Sequence, residues 1–323
     1  MATLGMSVLP VNWAGYFFAP ALLPDTGVYN DGFWINKLLM EKIIVKIKNV
    51  LVLLLLTPLM SFADACKTIK PINIDPYAAA IGTRKITFLA VDYKNNNCWA
   101  INEAGLTQRH SPYSTFKIPH TLIALETGAV KSVDERIEWD QTKHPAKPFW
   151  PETWKQSHTL ATAFKHSAVW YYQDLVPRID PKQYKKWLAK FHYGNQTFTP
   201  GSDNFWLNNE LQISPVEQVG FIACLLKNRC GVNAGTFSAF ESAAVQETKN
   251  EFSLYAKTGA GSIDPNSKED AFGGWYVGYV KGEGGKPVAA FALYIEAESF
   301  AALKDLRKDM SLVLLADLKL WSK

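Results

Sequence analysis

Strand-forming sequence is confined to the two ends of this chain, and the long stretch between them is helical in character. Lys85–Tyr93 reads KITFLAVDY, rich in β-branched and aromatic residues, and Asn95-Asn96-Asn97 supplies a turn before CWAINEAG. The strand pattern returns only after Phe252, with FSLYAKTG, GGWYVGYVKG and, past Gly284-Gly285, KPVAAFALYIE; the last two read as a hairpin. Between the ends, Thr115–Glu126 is expected to be a helix, with Pro119 tolerable near its first turn. Ser214-Pro215-Val216-Glu217 is a capping box with proline at the first helical position, so a helix should run from Pro215 to about Lys227. Gly128–Gly201 reads as helix and loop without a strong strand, and Leu303–Leu320 has apolar residues at helical spacing. The implied fold class is α+β: one antiparallel sheet built from both chain ends, flanked by helices, with an inserted helical region. A cleft between sheet and insert is the natural place for a site.

Composition removes several function classes. Hydrophobic residues make up 48% and aromatics 13% of 323, which excludes a disordered chain, a collagen-like repeat and a multi-span membrane protein. The net charge of +4 is small and dispersed, so no nucleic-acid partner is expected. From Met40 a basic stretch with Lys42, Lys46 and Lys48 leads into the apolar run Val50–Met60 and then Ser61-Phe62-Ala63-Asp64-Ala65. That is a secretory leader pattern over residues 40–65, cleavable after Ala63 or Ala65, and the run is too short to span a bilayer, which takes roughly 20 apolar residues. Export to the periplasm or medium follows, with membrane attachment only through the leader. Met1–Leu39 holds Pro10, Pro20 and Pro24 and no periodicity. We expect translation to begin at Met40, with residues 1–39 an upstream artefact or disordered and residues 66–323 the mature catalytic domain. Four cysteines remain, and export makes disulfides permissible. Their spacings match no zinc pattern, so no metal site is expected. Cys224, inside an apolar helical run, reads as a small buried hydrophobe, and Cys66–Cys98 as a candidate bridge.

Two short motifs carry the chemistry. Ser114 and Lys117 in Ser114-Thr115-Phe116-Lys117 are one helical turn apart, so they share a face. A lysine there can activate the serine as nucleophile if its amine is neutral. Alone, the pattern reads more simply as an N-cap serine followed by a solvated lysine. Lys257-Thr258-Gly259 follows a strand-like segment and offers a cation and a hydroxyl to an anionic substrate, with glycine permitting close approach. Alone it is an edge strand with a turn glycine. In this order the pair is far more specific. Between them lie Ser202-Asp203-Asn204 and the alternative Ser167-Ala168-Val169, followed by Tyr193-Gly194-Asn195.

With these residues the chain resembles the class D (oxacillinase-type) serine β-lactamases, with their β-lactamase/transpeptidase-like fold, from about Lys85 to the C-terminus. The match is Ser-Thr-Phe-Lys at 114–117, Ser-Ala-Val at 167–169, Tyr-Gly-Asn at 193–195, Phe-Trp-Leu at 205–207, Lys-Thr-Gly at 257–259, and the Leu306-Arg307-Lys308 region. Ser202-Asp203-Asn204, the middle motif of class A enzymes, runs straight into Phe205-Trp206-Leu207 and lies far past Ser114, so it reads as a turn. The resemblance implies hydrolysis of β-lactams through an acyl-Ser114 ester. It further implies carbon dioxide adding to Lys117 as an N-carboxylate, supported by Trp206 and Val169, with no other cofactor. Ser167 and Lys257 would serve proton transfer to the leaving nitrogen. The Ser114 and Ala260 N–H groups would form the oxyanion hole, while Thr258, Gly259 and Arg307 would bind substrate. Tyr193-Gly194-Asn195 is expected to be structural. Tyr113 departs from the alanine that many members carry, and Asn208-Asn209-Glu210 from their Glu-Gly or Glu-Ser. A penicillin-receptor sensor domain or a D,D-peptidase is the alternative reading. Substrate spectrum is not legible, although Ser262–Ala271, between two strands, is the place to look.

Overall fold

The computed structural model describes residues 66, 68–264 and 271–322. The expected artefact at 1–39 and leader at 40–65, and positions 265–270 of the Ser262–Ala271 segment, lie outside the described residues. Within them no helix is long and apolar enough to cross a membrane.

Chain ends build the sheet, as the strand pattern requires. Its strands are β1 (Ile69–Pro71), β2 (Ile86–Asp92), β3 (Asn97–Ile101), β6 (Val245–Lys249), β7 (Phe252–Ser262), β8 (Phe272–Lys281) and β9 (Pro287–Ala297), with the two-residue pair β4 (Arg136–Ile137) and β5 (His158–Thr159) apart from it. The order across the seven strands is β1-β3-β2-β9-β8-β7-β6. Phe88 on β2 pairs with Leu293 on β9, so the first and last long strands meet at the centre. One edge departs from the antiparallel expectation: β1 runs parallel to β3. Its three residues include Pro71 and are largely exposed, so they carry no strand pattern to read.

Both faces of the sheet are covered, and β9 shows how. Ala290, Ala292 and Tyr294 belong to one core, while Ala289, Phe291, Leu293 and Ile295 belong to the other. That two-residue alternation with apolar side chains on both faces is why β9 reads as an unbroken hydrophobic run. The helices are α1 (Ala78–Ile81), α2 (Lys117–Glu126), α3 (Leu160–His166), α4 (Val169–Leu175), α5 (Pro181–Lys190), α6 (Pro215–Leu226), α7 (Ala234–Ala244), α8 (Phe300–Leu303) and α9 (Leu306–Asp317). On α9, Met310, Leu314 and Leu315 pack on the Phe291 face. The capping box forms: the Glu217 N–H donates to Ser214 Oγ at 3.3 Å and the Ser214 N–H to Glu217 Oε2 at 2.9 Å.

Cys66 and Cys98 are disulfide-bonded. Cys224 corrects the sequence reading: it is bonded to Cys230 and is not a lone buried hydrophobe. Gly231 has φ +69° and Asn228 φ +51°, so the chain turns back just after α6 and brings the two Cα atoms to 5.4 Å.

Candidate active site

Local geometry makes the serine reachable and the lysine hidden. Tyr113–Phe116 is a 3-10 turn leading into α2 at Lys117, so the helix begins slightly differently from the expected Thr115 start. In a 3-10 turn, side chains three apart eclipse. Lys117 Nζ accordingly lies 3.1 Å from Ser114 Oγ. From Ser111 to Ala124 every residue except Ser114 is buried. Lys117 is wholly buried, its Nζ 5.0 Å from the centroid of the Tyr172 ring. Burial, aided by the charge of Lys257, holds its pKa well below the usual lysine range.

Aromatic rings form the rest of that wall. Trp206 stacks on Phe116 at 5.6 Å, and its indole Nε1 is buried with no hydrogen-bond partner. An orphaned buried donor is costly unless something accepts from it. His120, three residues after Lys117, bonds Tyr184 at 2.6 Å, and burial pushes its pKa down to about 3, so it is neutral. Val169 opens α4, half-buried and one turn before Tyr172, hence on the same face.

Strand β7 supplies the opposite wall. A Cβ at Gly259 would lie 2.8 Å from Pro112 O and 3.2 Å from Thr115 N, so the bare glycine lets the strand press against the serine turn. Strand β6 pairs with β7 only over Phe252–Tyr255, leaving Ala256–Ser262 without a strand neighbour on that side among the described residues. Thr258 and Ala260 sit on this stretch, paired on the other side with Tyr276 and Gly274 of β8. Lys257 is buried, with Nζ 3.1 Å from Thr258 O and 5.8 Å from the Phe164 ring centroid. Its pKa falls to about 7 through burial and then the charge of Arg307. Arg307, on α9, is 7% exposed; its Nε and one terminal nitrogen have no hydrogen-bond partner, and burial lowers its pKa to about 10.

Ser167 ends α3 in a left-handed conformation, φ +61°, three residues past Phe164. No described hydrogen bond joins it to Ser114 or Lys257. The site thus gathers Ser114, Lys117, Lys257, Thr258, Gly259 and Arg307 through contacts or mutual electrostatics, with Ala260 next along β7 from Gly259, whereas for Ser167 and Val169 no described hydrogen bond or ion pair makes the link.

The chain matches the penicillin-binding-protein transpeptidase domain family over residues 83–309. β-Lactamase OXA-10 of Pseudomonas aeruginosa is 32% identical over 217 residues, 67% of this chain and 79% of that protein. A class D β-lactamase from Sebaldella termitidis superposes with a TM-score of 0.70 at 30% identity, covering 79% of this chain and 98% of that one. This chain belongs to the class D β-lactamases. The fold they share also appears in the C-terminal domain of the Bacillus licheniformis BlaR penicillin receptor, at 26% identity and a TM-score of 0.69, covering 78% and 97% of the two chains.

Asp203 and Asn204 are exposed, and Ser202 closes a turn through its N–H to Thr199 O at 3.0 Å. Gly194, at φ +56°, would place a Cβ 1.9 Å from Gln212 O, and Asn195 exchanges hydrogen bonds with Gln212 and donates through its Nδ2 to Glu210 O. Sequence reasoning missed Tyr172 and His120 as neighbours of Lys117. Their one signal is spacing: each stands three residues after a residue already assigned to the site.

Proposed function

We propose that this class D β-lactamase hydrolyses β-lactams through an acyl-Ser114 ester. The observation that carries the reading is a wholly buried, electrically unpaired Lys117 amine 3.1 Å from the one reachable hydroxyl of its turn. A depressed pKa leaves that amine neutral and able to accept the Ser114 proton as Oγ attacks the lactam carbonyl. Ser114 and Ala260 N–H groups would receive the developing oxyanion, worth roughly 3 kcal/mol per donor. Protonated Lys257 polarises the leaving nitrogen, and Ser167 relays to it the proton that Lys117 took from Ser114, so that Ser167 ends as a hydroxyl and Lys117 as a free base. The substrate carboxylate would meet Thr258 and the unpaired nitrogens of Arg307, where a planar fork gives a directional pair.

Trp206 supports carboxylation of Lys117 by carbon dioxide, because its indole N–H is a buried donor without an acceptor and its ring stacks on Phe116, the residue before Lys117. When present, the N-carboxylate would supply an anionic base for acylation and for the deacylating water. Export to the periplasm or medium is supported by two disulfides in one chain.

Similarity to the BlaR receptor domain favours one alternative, a sensor that stays acylated. Steady-state turnover of a chromogenic cephalosporin, with and without bicarbonate, separates the two. Sustained hydrolysis stimulated by bicarbonate supports the hydrolase; one burst of acylation without turnover supports the sensor.

A further inference from the structure

The two places where this chain departs from its family's pattern converge on one strand end. Tyr113 has φ +48° and is buried, and its phenol donates to Ser262 O at 2.8 Å. Its ring fills a notch left by Gly261, where a Cβ would lie 2.4 Å from Tyr113 Cε1. Asn209 has φ +68°, and its Nδ2 donates to the next carbonyl, Ile263 O, at 3.0 Å. The segments carrying these side chains are tied to each other as well. The Tyr113 N–H donates to Trp206 O at 3.0 Å, and the Asn209 N–H to Ser111 Oγ at 2.9 Å.

We propose that Tyr113 and Asn209 are positioning residues, a two-point latch holding the open edge of β7 in register with Ser114. A left-handed backbone is unfavourable for a bulky residue such as tyrosine and persists only when its surroundings over-determine it. Here the surroundings are the bonds just named. Because the pairing with β6 ends at Tyr255 of β7, no strand neighbour fixes this half of β7 on that side among the described residues. Bonds to consecutive carbonyls fix the rotation of the strand end as well as its position. Through Ser114 on one side and Ala260 on the other, the latch sets the spacing of the two oxyanion donors. The inference rests on the proposed roles of those two residues.

The test is pre-steady-state acylation of the purified chain by a fluorescent penicillin, well below the unfolding midpoint. Varying the penicillin concentration separates the acylation rate constant from the apparent binding constant. Tyr113→Phe keeps the ring and removes the donor; Asn209→Gly keeps the left-handed backbone and removes the donor. Each should slow acylation roughly five- to tenfold, the size of one ordinary hydrogen bond, with the binding constant within about twofold. Unchanged acylation in both variants, or losses that merely track a lower Tm, would overturn the latch. A native chain that is acylated but never releases product would sink the hydrolase reading and leave this measurement intact. A native chain that is never acylated would overturn both.

Discussion

Lys117, Lys257 and Arg307 are buried basic groups with no ion-pair partner among the described residues, and each has a depressed pKa. Burying charge without compensation costs stability, so the cluster is held for what it binds. Arg307→Leu should therefore raise Tm by a few degrees in calorimetry while lowering kcat/KM about 10- to 100-fold for carboxylate-bearing substrates. Lys257 loses its proton as pH rises through about 7, so kcat/KM should fall on that side of its profile. Lys257→Arg, which stays charged, should flatten that limb; an unchanged limb would assign the titration elsewhere. Lys117→Ala should slow both acylation and ester release by at least ~100-fold, read by intact-protein mass spectrometry of the acyl-enzyme. The sequence exposed Ser114 and Lys117 because their meaning lies in a fixed local spacing. It hid Tyr172, His120 and Asn209, whose roles arise only when distant segments pack.

Elements show the same division. The α6 helix was legible down to its first residue because its start signals are local: Ser214, Pro215 and Glu217 within one turn. Ser214→Ala should destabilise the fold by about 1 kcal/mol in urea unfolding, the ordinary worth of an N-cap. Strand β6 escaped notice because VQETK is almost wholly exposed, with no apolar alternation to mark it. Cys224 was misread for a related reason: its helix pattern is apolar, and its pairing with Cys230 depends on a reversal at Asn228 and Gly231 that the pattern does not announce. Gly194→Ala should be far more damaging than Ser214→Ala, by more than about 3 kcal/mol, because backbone and not a yielding side chain blocks the new methyl.

For the molecule as a whole, the two disulfides close loops of very different size, with separations of 32 and 6 residues. Unfolded-chain entropy then predicts that removing Cys66–Cys98 costs about 3–4 kcal/mol and removing Cys224–Cys230 about 2 kcal/mol. Calorimetry of Cys66→Ser/Cys98→Ser against Cys224→Ser/Cys230→Ser checks the order, and a reversal would show that native-state contacts dominate. The pairing of β2 with β9 has a separate consequence for how the protein comes into being. A chain emerging from a ribosome or crossing a translocon carries Ser114 and Lys117 long before Lys257 and Arg307, and its central strand arrives nearly last. Until then there is no sheet to hold a catalyst, so synthesis and activity are separated in time. Cut at the exposed turn around Asp203, the polypeptide would yield two fragments that are each inert, one with three and the other with four of the seven strands: natural material for a split reporter whose signal appears only when the two meet.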